Sequence, residues 1–143
     1  MEEDTIKLLR ECDSGIKMGL ESINDVIDQI ESDKLKKVLL DSKKEHEALQ
    51  SRTQNLLDTY HDEGKDPSPI IKGMSWIKTN MRLAVNNSDN TIADLMTEGA
   101  NMGIKSLSKY LNEYEYSNEL SKNVVKDLIK VEENLVFNLR EFL

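Results

Sequence analysis

Gly15-Ile16-Lys17-Met18-Gly19-Leu20-Glu21-Ser22-Ile23 in the first half of the chain lies over Gly99-Ala100-Asn101-Met102-Gly103-Ile104-Lys105-Ser106-Leu107 in the second. Gly, Met, Gly and Ser recur at an offset of 84, and Leu20/Ile104 and Ile23/Leu107 exchange one aliphatic for another. The chain contains only 6 glycines, so four of them falling in register marks an internal repeat. The repeat predicts two equivalent helices related by a pseudo-twofold axis.

Working outward, each copy sits inside helical periodicity. From Asp4 to Ile30 the apolar positions are 6, 9, 12, 16, 20, 23, 27 and 30, one stripe of a long amphipathic helix A. Ser32-Asp33 interrupts it, and Asp33 is expected to cap helix B, with a connection short enough to force an antiparallel hairpin. Helix B is expected from Lys34 to His61, with Leu35, Leu39, Ser42, His46, Leu49, Thr53, Leu56 and Tyr60 on its inner row and Gly64 ending it. Ser68-Pro69 supplies an N-cap and first-turn pair for a shorter helix over 69–85 carrying Ile71, Met74, Ile77, Met81 and Val85 on one side. Helix C spans 91–114, with Ile92, Leu95, Gly99, Met102, Ser106, Tyr110 and Tyr114 in register. Helix D spans 118–142, with Leu120, Val124, Leu128, Val131, Leu135 and Phe142 inward. The expected fold is all-α: a single domain over 1–143, in which hairpins 3–63 and 90–142 are joined by a long crossover containing helix 69–85.

Composition narrows the alternatives. With 2 prolines in 143 residues, the turn signals of an all-β sandwich are missing, and no clustered glycine loop offers a phosphate cradle. Acidic residues outnumber basic ones 27 to 19, a net charge of −8, which disfavours a nucleic-acid partner. The sign varies along the chain: residues 1–64 carry −7, residues 65–86 carry +3 and residues 87–143 carry −4. One cysteine, Cys12, excludes an intramolecular disulfide. Met1-Glu2-Glu3-Asp4 does not read as a signal peptide, and no apolar run approaches the ~20 residues of a membrane span, so a soluble cytoplasmic protein is expected.

The spacing Gly15/Gly19/Ser22 and Gly99/Gly103/Ser106 puts three small residues on one face of each helix. An interior helical glycine costs about 0.5–1 kcal/mol relative to alanine. Close crossing of helices A and C at these faces would offset that cost. A second subunit seated on each face is the alternative, and glycines tolerated without a role are the third reading.

These features together resemble the ferritin-like superfamily, in particular small bacterial bundles related to rubrerythrins. The resemblance rests on the two hairpins with a long crossover, the repeated halves, the glycine faces of helices A and C, and Lys72-Gly73-Met74-Ser75-Trp76 in the crossover. It implies a dinuclear iron or manganese centre held by inward glutamates and Glu-x-x-His motifs. The motif is absent here. Lys43 stands three residues before His46, and aligning helices B and D at an offset of 85 places Leu128 and Val131 where Lys43 and His46 stand. The carboxylates left for a rearranged site around His46 are Glu21, Glu45, Glu98 and Glu132.

Each remaining polar feature has an ordinary reading beside a functional one. His46 is expected to hydrogen-bond to Ser42, Thr53 or a backbone carbonyl, with metal ligation as the alternative. Cys12 reads as a buried structural thiol, His61 as solvent-exposed, and the methionines, Met18, Met96 and Met102 among them, as core filler. Lys72, Trp76, Lys78 and Arg82 on the basic helix form a possible contact patch for a protein partner if all four are exposed together. The expectation is therefore a non-catalytic bundle without a cofactor, acting through protein contacts as a homodimer. The alternatives are a metal-binding protein centred on His46 and an adaptor using helix 69–85.

Overall fold

A computed structural model describes residues 1–67, 76–84 and 86–143. The chain forms five α-helices, α1 (Glu2–Val26), α2 (Asp33–Thr59), α3 (Trp76–Leu83), α4 (Asp89–Glu113) and α5 (Glu119–Leu139), with 3-10 turns at Ile27–Gln29 and Arg140–Phe142 and no strand among the described residues. The all-helical expectation holds, and the four long helices fall within a few residues of where periodicity put them. Of the short helix expected over 69–85, Trp76–Leu83 is helical; 69–75 and Val85 lie outside the described residues.

The connections set the helix directions. The backbone N–H groups of Glu31 and Ser32, after α1, donate to the Asp89 carboxylate at the start of α4 at 3.0 and 2.8 Å. At the other end the Asn118 N–H, before α5, donates to Thr5 Oγ1 at 2.9 Å. Lys34 at the start of α2 pairs with Glu141 beyond α5 at 2.9 Å. Helices α1 and α5 therefore run one way and α2 and α4 the other. The connection between α2 and α4 passes from one end of the bundle to the other. Its first part is tied to α1 by Arg10–Asp62 at 2.6 Å, Lys65–Glu11 at 2.6 Å and Lys17–Asp66 at 3.0 Å.

Local chemistry differs from expectation in three places. Ser32, not Asp33, caps α2: its Oγ accepts the Leu35 N–H at 3.2 Å from an extended backbone, and Asp33 begins the helix with its charge at the positive end. Helix α2 stops at Thr59, ahead of His61, which has φ 54° and is exposed; Gly64, φ 86°, lies in the loop beyond. On α2 the buried row ends on Leu57 instead of running through Leu56 to Tyr60, both of which are half-buried.

The largest revision concerns α4. Its buried residues are Ile92, Ala93, Met96, Ala100 and Leu107, so the core stripe runs beside the row through Met102, Ser106 and Tyr114. Met102 is 50% exposed and Met18 42%, so neither fills the core. α4 carries apolar residues over a wide arc, two adjacent stripes satisfy the same spacing, and burial follows the one that joins the apolar clusters. Leu120, expected inward, is 63% exposed in the first turn of α5, where Ser121 and Val124 take the inner side.

Two apolar clusters make up the core. One, at the end where α1 stops, contains Ile23, Val26, Leu35, Leu39, Ile77, Met81, Ile92, Met96, Leu135 and Leu139. The other contains Leu8, Leu9, Cys12, Ile16, Leu49, Leu57, Leu107, Val124, Leu128 and Val131. Between them, at the waist of the bundle, lies a polar layer.

Candidate functional site

Each long helix contributes one residue to that waist: Gly19 from α1, His46 from α2, Gly103 from α4 and Glu132 from α5. The apolar residues on either side belong to different clusters, Ile16 and Ile23 around Gly19, Leu39 and Leu49 around His46, Ala100 and Leu107 around Gly103, Leu128 and Leu135 around Glu132. Gly19 and Gly103 are the repeat equivalents. His46 and Glu132 are their counterparts on the second helix of each hairpin, at an offset of 86. The expected offset of 85 was one residue short, which put Val131 in the place Glu132 takes.

His46 is held from both sides. Its Nδ1 lies 2.8 Å from the Ser42 carbonyl oxygen, one turn back. A carbonyl only accepts, so Nδ1 carries a proton and donates. Nε2 lies 2.6 Å from Glu132 Oε1, so one proton is shared between imidazole and carboxyl. The two side chains are 1% and 11% exposed. Burial is the largest influence on the His46 pKa and lowers it. The hydrogen bond and charge of Glu132, the Ser42 carbonyl and the charge of Glu45 together outweigh burial, and the pKa is raised above 6.5. The expected hydrogen bond of His46 to the helix backbone is present; its bond to Glu132 was not foreseen as a pair.

The glycines face this layer and a cavity of about 300 Å³ between α1 and α4. A Cβ on Gly19 would stand 2.6 Å from His46 Nε2; one on Gly99, 3.3 Å from the Trp76 ring; one on Gly103, 4.0 Å from Glu132 Oε2; and one on Gly15, 3.8 Å from Leu128. In every case the neighbour is a side chain from another element. The expected close crossing of the α1 and α4 backbones is thus replaced by side chains and open space, although the two helices are neighbours. Gly15, Gly19, Ser22, Gly99, Gly103 and Ser106 all line the cavity. Leu95, Met96, Leu107, Leu128 and Leu135 supply apolar wall, and Trp76, Ile77 and Tyr110 also line it.

Trp76 is half-buried here, packed on Gly99, while Lys78 and Arg82 are exposed on the same helix. The indole is turned away from them because residues two and six positions on lie about 200° and 240° around a helix. The contact patch expected of these residues is therefore split, and Lys72 lies outside the described residues.

Of the carboxylates considered as ligands, Glu132 alone meets His46. Glu45 and Glu98 are exposed and Glu21 is half-exposed, and no group of three or more His, Cys, Asp or Glu side chains among the described residues is arranged to hold a metal ion. A dinuclear centre needs four to six converging ligands. The waist offers two, and both His46 nitrogens are already engaged, so these residues do not fit that group.

Cys12 is fully buried, with Sγ 3.6 Å from Thr53 Oγ1, and burial pushes its thiol up to about 12. No helix of the described residues is long and apolar enough to cross a membrane. Comparison of the chain with protein families, with characterised proteins and with solved structures gives no match.

Proposed function

We propose that this protein is a non-catalytic, ferritin-like helical bundle whose waist is a chamber for a small, mainly apolar ligand. The ferritin-like assignment is supported by the helix directions, the end-to-end connection between the hairpins and the equivalence of Gly19 with Gly103. The observation that carries the ligand reading is the cavity itself. Four interior glycines withhold side chains where leucine or alanine would strengthen the helices, and the space is lined by apolar groups around one carboxylate–imidazole pair. That pair is internally neutralised, the Ser42 hydroxyl at 3.4 Å faces an Nδ1 whose proton is already given to the Ser42 carbonyl and so finds no base there, and Cys12 is held as a thiol, which favours binding over reaction.

The only tryptophan, Trp76, stands in the wall and reports occupancy by its emission. Gly103→Leu projects a side chain into the chamber without opposing backbone. Small apolar probes are expected to shift Trp76 emission saturably in the wild type and not in Gly103→Leu. Equal responses from the two proteins would refute the chamber.

A second reading closes the mouth with another copy of the chain. Met18 and Met102, repeat equivalents, stand exposed at the cavity rim, and a homodimer across them would bury both. Sedimentation of the wild type beside Met18→Lys/Met102→Lys tests it: a monomeric wild type ends this reading.

A further inference from the structure

The polar groups of the chamber specify more than an apolar guest. Among the described residues no lysine or arginine lines it. Of the described residues, His46 is the one basic side chain in the lining, and both ring nitrogens are engaged, by the Ser42 carbonyl and by Glu132 Oε1. Glu11, also in the lining, is bonded to Lys65 at 2.6 Å. Glu132 is nine-tenths buried, and its second oxygen, Oε2, faces Gly103 and receives no hydrogen bond from a described residue. That oxygen only accepts, and in an apolar enclosure it is complemented by a donor, most strongly by a charged N–H.

Position adds shape. The lining runs over residues 11–22 of α1 and 95–110 of α4, about 17 and 22 Å at 1.5 Å per residue. Gly103 and Glu132 fall near the middle, with Trp76, Met96 and Leu135 to one side and Leu107, Leu128 and Tyr110 to the other. A guest that fills this length meets the carboxylate at its centre rather than at its tip.

We infer that the chamber takes a hydrophobic amine, its nitrogen donating to Glu132 Oε2 and its apolar substituents running to both sides along α1 and α4. This rests on the ligand-chamber reading above. A ligand carboxylate or phosphate would bring only acceptors to an oxygen that itself only accepts. The net charge of −8 favours approach of a cation over an anion. Met18, Met96 and Met102, unbranched and adaptable, let the wall follow substituents of different shape.

The test compares three compounds built on the same 13-atom chain with the polar group at its centre, read by Trp76 emission and by calorimetry: dihexylamine, dihexyl ether and 2-hexyloctanoate. The amine is expected to bind saturably, about tenfold or more tighter than the ether, which lacks the donor, and the carboxylate to bind weakest. Glu132→Gln is expected to remove the preference for amine over ether while retaining the ether; if that variant does not fold, the three-compound comparison on the wild type still decides. Amine and ether binding alike, or the carboxylate binding tightest, overturns the amine inference and leaves the chamber standing. Amine binding unchanged in Gly103→Leu places the amine on the acidic surface and overturns the inference. No compound binding the wild type overturns both.

Discussion

Gly15 and Gly19 occupy the same face of α1 one turn apart, yet the structure assigns opposite signs to their replacement by alanine. At Gly15 the added methyl meets Leu128 and Leu107 at 3.8 and 3.9 Å, ordinary contact, so the helix gains about 0.5–1 kcal/mol. At Gly19 it stands 2.6 Å from His46 Nε2 and 2.8 Å from Cδ2. The ring cannot swing aside, because Nδ1 is bonded to Ser42 and Nε2 to Glu132. Overpacking costs about 1–3 kcal/mol and loss of the charge-assisted bond about 1.5–3, so after the helix gain Gly19→Ala is expected to destabilise by about 2–5 kcal/mol. For a chain of this size that lowers Tm by roughly 5–15 °C. Urea denaturation followed by far-UV circular dichroism measures both variants against wild type. Gly19→Ala as stable as Gly15→Ala would show that His46 is not fixed at the waist, and the reasoning would fail.

Three further outcomes follow from the same geometry. The folded pKa of His46 is raised above its unfolded value of about 6.5, so the pair's contribution is complete below that pH and is lost as pH rises through the folded value; Tm should fall as pH is raised from about 6.5 through that value, and Glu132→Gln should abolish that slope. Cys12, with its thiol pushed up to about 12 and fully buried, should react with a thiol reagent only at the rate of unfolding; fast labelling of folded protein would contradict its burial. Ser32→Ala removes the α2 cap and should cost about 1 kcal/mol by denaturant titration, whereas Asp33→Asn, which leaves the Ser32 cap in place, should cost less.

Periodicity was enough for the four long helices, because each carries a stripe sustained over many turns and ends on a strong stop such as Ser32 or Asn118. It was not enough for the rotation of α4. There the rows through Gly99/Met102/Ser106 and through Met96/Ala100/Leu107 both satisfy helical spacing, and only the packing of the other helices selects between them. His46 was legible as an inward polar residue because its neighbours Leu39 and Leu49 flank it on one stripe. Its partner was named among four carboxylates but not singled out, since register between two helices is a tertiary property. Glu132 lies four residues after Leu128 and three before Leu135, both buried, and that spacing alone marks it as inward. The role of the glycines was misjudged for the same reason: a small-residue face signals that something comes close, without saying whether it is a backbone, an imidazole or an indole.

The waist gathers several choices that each work against stability. Interior glycines weaken α1 and α4 by about 0.5–1 kcal/mol apiece. Burial of a carboxylate with an imidazole gains little over a well-packed apolar pair of similar volume. An open volume of about 300 Å³ forgoes the contacts that would fill it. Elsewhere the chain has apolar clusters above and below, side-chain caps on α2 and α5, and ion pairs at the surface; its other buried polar atoms without a partner among the described residues, Asp13 Oδ1, Ser117 Oγ and Ser121 Oγ, are single oxygens and do not share a cavity with one another. Costs scattered through a fold read as drift. Here Gly19, Gly103, His46 and Glu132 come from four different helices and two repeated halves, yet they meet in a single layer around a single cavity. A sequence shaped for stability alone would place leucines there, and the departure from that solution is the physical ground for locating function at the waist.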